Sequence, residues 1–194
     1  MRTNSETIVA HGSGASVPQR TYVTGMTIAL GGISMFFMAL VSAWIVRKGL
    51  SNGDWQPIEL PRILWLNTAI LLASSLALAR SRHWLIAGRE ADYRHWWGVA
   101  TVLGALFLVG QVLAWRQLRT AGIFLATNPA SSFFYVFTVA HALHIVGGIS
   151  ALVVIAMRRP RCLSRETETQ VAALYWHFMS ALWLLIFALL LVER

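Results

Sequence analysis

The chain has 194 residues, 57% hydrophobic and 12% charged, about half the charged share of an ordinary soluble domain. This excludes a water-soluble enzyme, and a single cysteine, Cys162, excludes an internal disulfide framework and a CxxC or CxxxC haem attachment or metal pair. Sixteen basic residues against eight acidic ones give a net charge of +8, but the arginines are scattered over short connections, which suits lipid headgroups and not nucleic acid.

The first twenty residues, MRTNSETIVAHGSGASVPQR, are polar and hold no apolar core of the kind a cleavable signal needs, so residues 1–20 are expected to form a flexible cytoplasmic tail. Residues 21–194 are expected to form one membrane domain. Within it, runs at about 22–46, 63–79, 96–115, 133–157 and 171–192 contain no Asp, Glu, Lys or Arg. Each is long enough to span about 30 Å as helix, and none alternates as a barrel strand would. The fold class is therefore all-α, a polytopic bundle of five transmembrane helices.

In lipid, helices associate through close packing of small residues and through hydrogen bonds between helices. The first run offers Gly25, Ala29, Gly32, Phe36, Ala39 and Ala43 at helical spacing, which predicts a protein-facing stripe. The second places Asn67 and Ser74 on one face, and the third aligns Gln111 with Gly104, Leu108 and Trp115. The fourth contains HALHIVGG, putting His141, His144 and Gly148 in line with Phe134, Phe137 and Ala151. The fifth offers Ala173, His177, Ser180, Ala181 and Ala188 beside Trp176. Asn67, Gln111 and the serines read as structural hydrogen-bonding groups. The three imidazoles leave more open: they can order helix packing, hold a lipid headgroup, pass protons or ligate haem. At 1.5 Å per residue, His144 and His177 lie within about 5 Å in depth, so an intramembrane b-type cytochrome using that pair is an alternative reading. A transporter would need a charged midplane pathway or a proline break, and no run has either.

Tryptophans Trp55, Trp65, Trp84, Trp96, Trp97, Trp115 and Trp176 cluster near run ends, as expected of an interfacial belt. Ten basic residues lie on the side of the N-terminus and six on the other, the second set being Arg47, Lys48, Arg62, Arg116, Arg119 and Arg194. The positive-inside rule then predicts an N-in, C-out bundle in a bacterial inner membrane, with Cys162 in a cytoplasmic connection.

Taken in order, GISMFFMAL, LPRILWLNTAILLASS, LGALFLVGQVLAW, NPASSFFYVFTVAHALHIVGGI and YWHFMSALWLLIF fall on successive runs. Together they resemble subunit III of the haem-copper respiratory oxidases, the cytochrome c oxidase subunit 3 family, in its short five-helix bacterial form. The resemblance implies a subunit without redox centres that packs on catalytic subunit I, retains phospholipid, and supports proton uptake and durability. Haem and copper would belong to partner subunits, and this chain would carry no cofactor, metal or catalytic residue of its own. A quinol oxidase subunit III and a nitric oxide reductase accessory subunit are the nearest alternatives. His141 and His144 match the family's fourth-helix pair, and Trp176 with His177 match its WHF, which implies helix packing and lipid contact. Where the family usually carries membrane carboxylates this chain has Ile33, Ala114 and Ser180. That leaves Glu90, Asp92 and His95, on a connection, as the expected proton collectors.

Overall fold

A computed structural model describes residues 19–51, 53–157 and 165–192. Cys162 and all but the last two residues of the expected tail lie outside the described residues. Five helices follow one another: α1 (Gln19–Gly49), α2 (Ile63–Ile86), α3 (Glu90–Thr120), α4 (Pro129–Met157) and α5 (Arg165–Leu191). All five are long and apolar enough to cross a membrane, and no strand occurs among the described residues.

Most of the helices overrun the apolar runs that mark them in the sequence. The runs record only hydrocarbon depth, whereas a helix satisfies its own backbone and can continue through the headgroup region. Polar collars occupy the added turns. Arg89 pairs with Asp92 at 2.6 Å, and Arg165 at the start of α5 pairs with Glu90 at the start of α3. Beside them the Tyr93 hydroxyl lies 3.2 Å from Thr169 Oγ1.

The extra turns shorten the connections. Only residues 87–89 separate α2 from α3, and Gly88 turns the chain at φ +72. The Gly88 and Arg89 amides donate back to the carbonyls of Leu85 and Trp84, closing the helix end with a left-handed residue. Such a turn forces α2 and α3 into an antiparallel pair along their whole length. At the start of α4 the sequence Asn-Pro-Ala-Ser is a reciprocal cap. Asn128 Oδ1 accepts from the Ser131 amide at 2.8 Å, Ser131 Oγ accepts from the Asn128 amide at 3.2 Å, and Pro129 takes the first helical position.

Helices α2 to α5 form the bundle, and α1 leans only on α4 and α5. The expected small stripe of α1 is not its packing face: Gly25, Ala29, Gly32, Phe36, Ala39 and Ala43 are all exposed. The buried residues are Leu30, Phe37 and Trp44, seven apart. Large side chains thus reach across a wide separation, and no close backbone approach calls for the glycines. Trp44 also meets Trp55 of the following loop, which in turn stacks near Phe133 of α4, so the loop clasps the two helices together.

Candidate functional site

The bundle is keyed on Trp176. Its indole lies in a slot between α3 and α4 that exists because Gly104 and Gly148 have no side chain. A Cβ on Gly104 would fall 2.7 Å from Trp176 Cζ2, and one on Gly148 would fall 3.0 Å from Trp176 Cζ3 and 2.8 Å from Tyr175 Cε1. The ring nitrogen donates to Ser74 Oγ on α2 at 3.0 Å, and Ser74 donates onward to the Ala100 carbonyl of α3 at 2.7 Å. One α5 side chain therefore touches α2, α3 and α4. Two further indoles repeat the device at other depths: Trp183 donates to Thr68 at 3.0 Å, and Trp97 donates to the Leu152 carbonyl at 3.1 Å.

These positions correct the expected belt. Trp97 and Trp176 are buried in the bundle. Trp176 looks terminal only when the fifth run is taken to begin at 171. With α5 starting at Arg165, it sits roughly 16 Å along the helix.

Toward the end where α2 begins, Asn67 and Gln111 face each other, Asn67 Nδ2 donating to Gln111 Oε1 at 3.4 Å. Gly110 makes room, since a Cβ there would collide with the Asn67 amide. His141 is fully buried, its ring 5.0 Å from Trp183 and 5.8 Å from Phe107, and neither nitrogen finds a hydrogen-bond partner among the described residues.

The other two imidazoles point away from this interior. His144 is half-buried against α1, 5.6 Å from Phe37 and 6.4 Å from Phe36, with Nδ1 2.8 Å from the Ala140 carbonyl. Its own carbonyl accepts from the Tyr175 hydroxyl at 2.8 Å, a link between α4 and α5 that the sequence did not single out. His177 is exposed on the outside of the bundle, and its Nδ1 lies 2.5 Å from Ser75 Oγ of α2. So His144 addresses α1 and His177 addresses α2, and the pair does not converge on a space between them. Among the described residues no group of three or more His, Cys, Asp or Glu side chains is arranged to hold a metal ion.

At the three positions where the resemblance leads one to expect carboxylates, Ala114 and Ser180 are buried and Ile33 is half-buried. Ser180 donates to the Trp176 carbonyl at 2.9 Å, within its own helix. Glu90 and Asp92 are held in the ion pairs described above, and His95 is exposed next to Trp96.

Between α1 and the α4–α5 pair lies an apolar cleft of about 530 Å³. Gly25, Gly148, Ala151 and Trp176 line its body, and Tyr22 and Glu168 stand toward the end where α1 begins. Along α4 it extends from Gly147 to Ile155, about 12 Å of helix.

Comparison with known proteins follows the same span. The family model described as "Cytochrome c oxidase subunit III" matches residues 11–192. A protein of Nocardia farcinica named "Probable cytochrome c oxidase subunit 3" is 31% identical over 178 residues, covering 88% of this chain and 87% of its own length. The "Cytochrome c oxidase subunit 3" of Thermostichus vulcanus is 32% identical over 178 residues, 88% of this chain and 86% of that protein. That of Synechocystis is 28% identical over 188 residues, 93% and 78% respectively. With five apolar helices, motifs on each of them in order, and a family match over nearly the whole length, the chain belongs to the cytochrome c oxidase subunit III family.

Proposed function

We propose that this accessory subunit serves its oxidase by shape and by lipid retention, packed against catalytic subunit I in a bacterial inner membrane. The complex is an oxidoreductase, and this chain is one of its subunits. Haem and copper sit in partner subunits, and this chain passes neither electrons nor membrane-depth protons to them.

The cleft between α1 and α4–α5 carries this reading. It is lined almost wholly by apolar atoms and bounded by a helix that touches the rest of the bundle weakly. An acyl chain in it would contact three helices at once and fasten α1 to its neighbours through dispersion. The slot around Trp176 then gives that lipid a wall that does not yield, because the indole is fixed by Ser74 and by two glycine backbones. Gly148 and Trp176 accordingly contact that lipid, and His141, His144, His177, Gln111 and Asn67 act in packing. Glu90 and Asp92, the expected proton collectors at the start of α3, are engaged in ion pairs, and on this reading they and His95 have no share in the proton handling of the catalytic subunit.

The test is purification of a tagged chain from native membranes under mild detergent. It should bring down a haem-copper subunit I with bound phospholipid. Recovery without any haem-copper subunit would refute the proposal, and the identity of the partner would separate a cytochrome c oxidase from a quinol oxidase or a nitric oxide reductase.

Sidedness has its own measurement. An N-in, C-out bundle places Cys162 in the cytoplasm. A membrane-impermeant thiol reagent applied to intact cells should leave Cys162 unmodified and should label it after lysis. Efficient labelling before lysis would invert the topology.

A further inference from the structure

The imidazole of His177 is exposed on the outer surface of the bundle near the middle of α5, and the Ser75 hydroxyl beside it lies near the middle of α2. Both are as far from either membrane edge as their helices allow. The outward surfaces of α3 and α4 at this depth are built differently. Val102, Leu106 and Val109 of α3, and Val139, Leu143 and Val146 of α4, are exposed and wholly apolar. Hydrocarbon suits those two faces. It does not suit an imidazole, because a ring nitrogen facing lipid loses its hydrogen bond with nothing in return.

The same face carries a charge at one end. Arg82 stands seven residues after Ser75, two helical turns along and on the same side of α2, about 10 Å nearer the edge at which that helix ends. It is exposed and forms no ion pair with a described residue. The intervening Ala79 is exposed too, and a side chain that small admits a helix at close range.

We infer that the α2–α5 face centred on Ser75 and His177 is the surface through which this chain docks on a transmembrane helix of another oxidase subunit. The inference rests on membership in the complex and adds the face and the chemistry of its partner. That helix presents a hydrogen-bonding side chain at mid-depth, opposite the free edge of the imidazole. It also presents a carboxylate near the membrane edge, opposite Arg82. Neither group alone specifies an orientation, but the two together fix both the depth and the direction of the partner helix.

The experiment uses the whole complex in native membranes. A photoreactive benzoylphenylalanine is placed at Ala79 in one variant and at Leu143 in another, and the membranes are irradiated. Ala79 should yield an adduct with another oxidase subunit, and Leu143 should yield lipid adducts only. An Ala79 adduct with lipid alone, or with a second copy of this chain, overturns the inference, as does a subunit adduct from Leu143 in its place. A second measurement guards against the probe itself blocking assembly. His177→Leu should lower recovery of the oxidase with the tagged chain several-fold, while His177→Gln, which keeps a hydrogen-bonding group, should restore most of it. Equal recovery of both variants overturns the inference. A native chain that recovers no oxidase refutes the accessory-subunit proposal as a whole, whereas normal recovery with adducts from the wrong face refutes only the docking surface.

Discussion

Gly148→Leu is expected to release the subunit from the purified complex or to lower its melting temperature sharply. The first added carbon already falls 2.8 Å from Tyr175 and 3.0 Å from Trp176. Neither ring can easily step aside. Tyr175 is tied by its hydroxyl to the His144 carbonyl, and Trp176 is held between Ser74 and Gly104. Overpacking of a fixed core costs about 1–3 kcal/mol, and a leucine places three more heavy atoms beyond that first contact. His144→Gln, four residues away on the same helix, is the control. His144 is half-buried against Phe36 and Phe37 and makes its polar contact within its own helix, so this change should cost less than about 1 kcal/mol. Assembly yield and thermal melting of the two variants provide the comparison. If both are tolerated equally, the face of α4 that carries Gly148 does not hold α5.

The second large effect is expected at Trp176 itself. Trp176→Ala empties the slot and removes the donor that Ser74 accepts from, and core truncations of this size cost about 3–5 kcal/mol in soluble proteins. In a membrane bundle the loss comes from packing and hydrogen bonding and not from exclusion of water, but the cavity is the same. Ser74→Ala isolates the polar part. It removes the acceptor for the buried indole N–H while the ring keeps its slot, a penalty of about 1–2 kcal/mol. Melting of the assembled complex should therefore rank native above Ser74→Ala and Ser74→Ala above Trp176→Ala. An alanine at Trp176 as stable as one at Ser74 would remove the indole from its keystone position.

Five spans were legible in the sequence because charge is excluded from hydrocarbon, and absence of charge over about twenty residues needs no knowledge of neighbours. What depends on neighbours was legible only in part. Gly104 and Gly148 stood out as small residues, yet nothing in a single sequence says that both face the same indole from opposite helices. The stripe on α1 had equally good spacing and is exposed, since the helix leans on its neighbours through Leu30, Phe37 and Trp44. Trp176 was misplaced at the interface for a different reason. The polar residues 165–170 continue α5, and the apolar run gives no sign of that. His177 matches a family motif, but its exposure and its Ser75 partner come from the packing of α2 on α5.

The absence of carboxylates at Ile33, Ala114 and Ser180 gives the account its most direct test. A subunit that acts through packing and lipid should govern how long the oxidase works and not how it handles protons in its first turnovers. The measurement is turnover of the native and subunit-deleted complexes across a pH series, followed until activity decays. Deletion should shorten the working lifetime several-fold at every pH and leave the pH profile of the initial rate in place. A deletion that shifts the initial pH profile while the lifetime stays unchanged would contradict the account and put this chain on the proton path.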